Sequence, residues 1–228
     1  MTVKPVARTA IAGPTILVAA LLCAVAVRDG RADTAVEAAG REMKTWDAGG
    51  LDPSRATQAW VRDDLERAQL AVPDDPASHE FLGALAARNL GDPASAGVAF
   101  EHFRSALVLR PTSPFTWLLL AKLRYNTGDT GADFERDLRR AVSLGPFEPD
   151  VERVVAFLGL AVYDQMSSST KAVIDQAIVA GARRDAVEMM QISARRGRLD
   201  VTCGLVRDIP SGIDPKSSQL CERTGAKL

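Results

Sequence analysis

The chain has 228 residues, 46% of them hydrophobic, with 28 basic and 29 acidic side chains. That apolar share argues against a mainly disordered protein and is enough for one sizeable core with appendages. Two histidines (His79, His102) and three cysteines (Cys23, Cys203, Cys221) argue against a dense metal centre or a disulfide scaffold, and a formal charge of −1 argues against a nonspecific nucleic-acid binder.

The charge is unevenly spread. Residues 1–31 hold four basic groups and one acidic group, which leaves the remainder at −4. Residues 9–27 are free of charge, and as a helix they would span about 28 Å, close to the thickness of a bilayer core. Lys4 and Arg8 flank this run on its amino-terminal side, which favours a cytoplasmic start. The expected placement is therefore a single pass of the inner membrane through residues 9–27, with the bulk of the chain on the periplasmic side. Ala24-Val25-Ala26 also satisfies the small-x-small rule of a cleavage site, so a cleaved periplasmic form is the alternative. Residues 1–31 are read as basic flank and anchor or signal, 32–56 as a linker, 57–207 as a helical-repeat domain and 208–228 as an irregular tail.

Within the body, three segments align without gaps: 61–73, 99–111 and 134–146. Their shared positions are Val61-Leu65-Ala68-Pro73, Ala99-Phe103-Ala106-Pro111 and Phe134-Leu138-Ala141-Pro146. Spacings of four and three place the apolar residues on one helical face, the alanine permits close helix approach, and the proline falls where the helix must stop. Ten residues beyond each proline stands a small residue, Gly83, Ala121 or Ala156, preceded by Leu82, Leu120 or Val155. The alanine-to-alanine intervals suit stacked helical hairpins, with turns at Asn89-Leu90-Gly91-Asp92-Pro93 and Asn126-Thr127-Gly128-Asp129. The fold class expected is all-α, with helical hairpin repeats following an N-terminal transmembrane helix.

After Pro146, apolar stripes predict further helices near 150–161, 172–178 and 184–196, and a short last helix at 199–207. Met189 and Met190 are read as core filler.

The repeats resemble the tetratricopeptide family, carried by Trp117, Leu120, Ala121 and Gly128, then Phe134, Leu138, Ala141 and Pro146. That resemblance implies antiparallel helix pairs stacked side by side. A narrower resemblance, to the VpsP family associated with bacterial exopolysaccharide biosynthesis, rests on ALVLRPTSPFTWLLLAKLR (106–124), SLGPFEPDVERVVAFLGLAVYD (143–164) and ARRGRLDVTC (194–203). It implies a role by pathway and brings no catalytic signature.

No catalytic constellation is assembled by the sequence. The carboxylates Asp63, Asp64, Glu66, Glu101, Asp133, Glu135 and Asp137 recur as on solvated helix faces, without the fixed pair that glycoside chemistry needs. No Walker loop, dinucleotide fingerprint or nucleophile elbow is present. No catalytic, cofactor-binding or metal-binding residue is expected, and no cofactor. Arg183, Arg184, Arg195 and Arg196 form the two compact basic clusters of the body, suited either to helix C-terminal dipoles or to a protein or polyanion contact. With Lys122 and Tyr125 they are the candidate partner contacts. A peptide-carboxylate clamp is disfavoured, because Glu80 and Ala84 stand in two of its slots. Cys203 and Cys221 are a candidate disulfide that would tie down a tail poor in apolar residues, the alternative being two unrelated thiols.

The function expected is a membrane-tethered helical-repeat scaffold or accessory protein in bacterial exopolysaccharide biosynthesis or export, acting by protein–protein contact. Its partners would be envelope polysaccharide-assembly proteins, with no nucleic acid. A polysaccharide-modifying enzyme with an unrecognised carboxylate site, or an envelope-assembly adaptor outside polysaccharide biosynthesis, are the alternatives. The sequence leaves the oligomeric state open.

Overall fold

The computed structural model describes residues 6–49, 53–207 and 221–222. Among the described residues there is no strand. The elements are α1 (Val6–Gly49), α2 (Arg55–Ala71), α3 (Pro76–Ala86), α4 (Pro93–Leu109), α5 (Pro114–Asn126), α6 (Ala132–Leu144), α7 (Pro149–Ala161), α8 (Ser168–Arg184), α9 (Ala186–Arg195) and α10 (Leu199–Val206). Single 3-10 turns at Ala87–Asn89 and Tyr163–Gln165 follow α3 and α7. The chain divides into two compact units, Met1–Leu85 and Ala86–Leu228.

In the first unit, the carboxyl-terminal half of α1 is a packing element. Ala32, Val36, Ala39, Met43 and Trp46 are buried with Val61, Leu65 and Ala68 of α2 and Leu82 and Leu85 of α3. Gly40 lets the Phe81 ring approach so closely that an added Cβ would lie 2.6 Å from it. The stretch expected as a linker is therefore helix and core as far as Gly49. Sequence reading missed it because its apolar residues are spaced among six charged ones, of which Asp33, Glu37, Arg41, Lys44 and Asp47 face water and the half-buried Glu42 accepts from the Trp46 indole.

The expectation of a single membrane pass does not hold. Among the described residues no helix is long and apolar enough to cross a membrane. The physical reason lies in α1 itself, which does not stop at the end of the uncharged run but continues through Arg28, Asp29, Arg31 and Asp33 to Gly49. The inner-membrane, single-pass placement through residues 9–27 is thus contradicted.

In the second unit, α5 packs on α6 and α7 on α8 as successive hairpins. α5, α7 and α9 lie side by side, and α6 is adjacent to α8 in a second layer. The core between the layers includes Ala121, Phe134, Leu138, Ala141, Val155, Ala156, Ile174 and Ile178. Gly159 of α7 allows the α8 approach, since a Cβ there would meet Ile174 Cγ1 at 2.6 Å.

The repeated residues share one local chemistry. Val61, Leu65, Ala68, Ala99, Phe103, Ala106, Phe134, Leu138 and Ala141 are all buried, as are Leu82, Leu120 and Val155. The second and third repeats exchange bulk between slots: Ala99 and Phe103 in one stand where Phe134 and Leu138 stand in the other. In each repeat the residue just past the helix donates its N–H to the repeat alanine's carbonyl: Val72 to Ala68 at 2.9 Å, Arg110 to Ala106 at 2.8 Å, and Gly145 to Ala141 at 2.9 Å. The proline follows at once, where it can no longer continue the helix. Restarts are equally explicit. Ser113 Oγ accepts from the Thr116 N–H, Ser167 Oγ from that of Thr170 and an Asp185 carboxylate oxygen from that of Glu188.

The tail expected to be irregular lies outside the described residues except for Cys221 and Glu222. Cys203 of α10 is joined to Cys221 by a disulfide with a Cα–Cα distance of 5.5 Å, and both residues are buried.

Candidate functional site

The side-by-side helices of the second unit leave a groove of about 300 Å³. α5 contributes Lys122 and Asn126, one turn apart; α7 contributes Arg153, Val154, Phe157 and Leu158; α9 contributes Glu188, Ile192 and Arg195. The floor is apolar (Val154, Leu158, Ile192) and the rim is charged. Spacings of three and four on each helix bring these residues to one face.

Three cations stand on that rim against one carboxylate. Arg153 is committed: it pairs with Asp150 on its own helix and with Glu188 across the groove at 3.5 Å. Hydrogen bonding to Asp150 is the main reason that its pKa lies above the ordinary value. Lys122 and Arg195 are exposed, and among the described residues no carboxylate pairs with either. Arg195 Nε donates only to the Gln191 carbonyl of its own helix, at 3.3 Å.

The other candidate contacts are already engaged within the fold. Arg184 donates to both oxygens of the buried Glu152 at 3.2 Å and to the Phe147 carbonyl at 3.0 Å, which ties the end of α8 to the start of α7. Arg196 lies 3.4 Å above the Phe157 ring centroid and 5.6 Å from that of Tyr125, with its Nε donating to the Phe157 carbonyl at 2.9 Å. Tyr125 is half-buried against Phe134. Arg183 is exposed at the end of α8, away from the groove lining. Of the six residues singled out by sequence, the structure places Lys122 and Arg195 on opposite sides of one groove and gives Tyr125, Arg184 and Arg196 structural work. Asn126, Arg153, Val154, Phe157, Glu188 and Ile192 were missed. Their signal was the alignment of equivalent faces on every second helix, and composition alone does not show it.

Strongly perturbed groups lie elsewhere and serve packing. Burial pushes the Asp137 carboxyl up, opposed by hydrogen bonds from Arg136 and Arg124. Arg124 in turn reaches Asp129 and Asp133, closing the α5–α6 turn. Burial and the 2.8 Å bond it donates to Asp175 push the Tyr163 hydroxyl to about 12. Neither Asp137 nor Tyr163 lines the groove, where Glu188 is the one carboxylate among the described lining residues.

His79 is half-buried beside the Gln69 amide, about 3 Å from it. Among the described residues no group of three or more His, Cys, Asp or Glu side chains is placed to hold a metal ion. In the first unit a second cleft, of about 380 Å³, has an alanine floor between α1 and α2. Two of its arginines are neutralised, Arg28 by Asp29 at 2.9 Å and Arg67 by Asp64 at 2.6 Å.

These hairpins define the class of the chain, a tetratricopeptide-like helical-repeat protein. A solved structure described as the functional characterisation of Pseudomonas aeruginosa pilF is similar, with a TM-score of 0.56 over 87% of this chain and 86% of that one. The sequences are 15% identical, so the likeness concerns the fold alone. No family model matches the sequence, and no curated protein matches it. None of these comparisons supports the narrower resemblance to the VpsP family.

Proposed function

We propose that this protein is a non-catalytic interaction scaffold that holds a partner in the groove across α5, α7 and α9. The observation that carries the reading is the contrast within one surface. Arg153 is held by Asp150 and Glu188, whereas Lys122 and Arg195 flank the same apolar floor with no carboxylate partner among the described residues. Stacked hairpins give such a surface its extent without any chemistry of their own. The fold shared with the pilF structure is compatible with this reading.

The pathway reading is finer: the partners are envelope proteins of exopolysaccharide assembly. It rests on the resemblance of residues 106–124, 143–164 and 194–203 to the VpsP family. An adaptor in another envelope assembly would use the same groove, and partner identity separates the two.

Comparative affinity capture tests the scaffold. Asn126→Trp blocks the groove from an exposed position, and Gln176→Trp places the same bulk on exposed α8 surface. The expected result is that Asn126→Trp loses the partners that wild type and Gln176→Trp both retain. Equal retention by all three refutes the groove as the contact. Exopolysaccharide yield in cells carrying Asn126→Trp then tests the pathway: a normal yield despite lost partners assigns the scaffold to another assembly.

A further inference from the structure

The chemistry of the occupant follows from the charges left over on the groove. Residues after 31 carry a net charge of −4, yet the groove's ionisable lining is Lys122, Arg153, Arg195 and Glu188, a cationic patch on an acidic body. Glu188 and Arg153 neutralise each other at the centre, at 3.5 Å. Two charges remain, on the outer helices α5 and α9, with the apolar Val154 and Leu158 of α7 between them. Packed helices lie about 8–10 Å apart, so the backbones carrying Lys122 and Arg195 are separated by roughly 16–20 Å, the reach of about six extended residues, an even spacing that keeps both end side chains on one face.

We infer that the occupant is an internal, extended segment of a partner protein with two acidic side chains about six residues apart and one apolar side chain between them at an even spacing, so that all three point to one face. The acids meet Lys122 and Arg195, and the apolar side chain covers the floor formed by Val154, Leu158 and Ile192. The inference rests on the scaffold reading above and adds the chemistry of its partner. A free chain terminus is not required, since both anions are supplied by side chains. Phosphate groups at the same two positions would answer to the same cations, but the apolar floor between them favours a peptide over a nucleic acid or an anionic polymer.

The test is fluorescence anisotropy on the full chain with a fluorescein-labelled, C-terminally amidated Gly/Ser peptide of about ten residues. It carries two aspartates about six positions apart and a leucine about four positions after the first, so that the three side chains share one face of an extended chain. A second peptide replaces both aspartates by asparagine. Saturable binding of the acidic peptide is expected, weakened about tenfold by the asparagine replacement, by Lys122→Glu/Arg195→Glu, or by raising the salt from low to high. Both substituted residues are exposed and without a carboxylate partner among the described residues, so the double variant should melt like wild type. Binding of both peptides alike, binding unaffected by the charge reversal, or binding of neither peptide overturns the acidic-segment inference. Failure of the scaffold reading is separate, because it appears as partner capture that is indifferent to Asn126→Trp.

Discussion

Phe134 is the sharpest probe of the repeat packing. Its ring is fully buried at the start of α6, among Tyr125, Leu138 and the facing residues of α5 and α7. Truncation to alanine removes a ring that buries roughly 150 Å² or more, about 4 kcal/mol at ~25 cal/mol per Å². Partial collapse of the cavity keeps the cost within about 3–5 kcal/mol. Phe134→Leu retains most of the volume and should cost about 1–1.5 kcal/mol. For a unit of this size the alanine variant should melt about 8–16 °C lower. Urea titration followed by the fluorescence of Trp117, on the neighbouring helix α5, gives the free energies directly. A loss below about 1 kcal/mol for Phe134→Ala, with an unchanged denaturant slope, would refute the packing role given to the repeat positions.

Reduction of Cys203–Cys221, which closes a loop of sequence separation 18, should remove up to about 3 kcal/mol from the second unit; thiol labelling that shows both cysteines equally reactive before and after reduction would contradict the bond. Gly159→Ala should cost about 1–3 kcal/mol, because the new methyl meets Ile174 Cγ1 at 2.6 Å, and the loss should be smaller in an Ile174→Ala background, which removes that atom; an additive double variant would count against the close approach. Glu135 supplies a pH test. Its desolvation is outweighed by hydrogen bonds from Ser167 and Thr170 and by the charge of Arg139, so its folded pKa lies below the ordinary 4.5. Its stabilising contribution is therefore present above pH 4.5 and is lost as the pH falls through the folded pKa, and Glu135→Gln should flatten the acid limb of a stability–pH profile measured by urea midpoints. An acid limb as steep as that of wild type would show that the carboxylate does not join α6 to α8.

The hairpins were legible in sequence because alanine, apolar and proline positions recur in one register, and the same atoms close each helix: Ala68, Ala106 and Ala141 accept the capping bonds. Other features were hidden for physical reasons. The packing half of α1 carries its buried Val36, Met43 and Trp46 among charged neighbours, and the glycine that admits Phe81 lies 41 positions before it in the chain. The uncharged run at 9–27 reads as a membrane span in isolation, whereas the helix that contains it continues to Gly49 through charged residues. Arg184 and Arg196 looked free because their partners, Glu152 and Phe157, are 32 and 39 residues away. The groove exists only once every second helix is placed beside its neighbour, and for that reason Phe157 and Ile192 carried no functional signal.

Site-specific photocrosslinking in cells is the most direct test of the scaffold claim. A benzophenone amino acid at Asn126 looks into the groove, and the same residue at Gln176 looks out from α8. The account predicts a discrete partner adduct from position 126 that maps to an acidic, apolar-centred segment, and no such adduct from position 176. Adducts of equal yield from both positions, or from 176 alone, would contradict it.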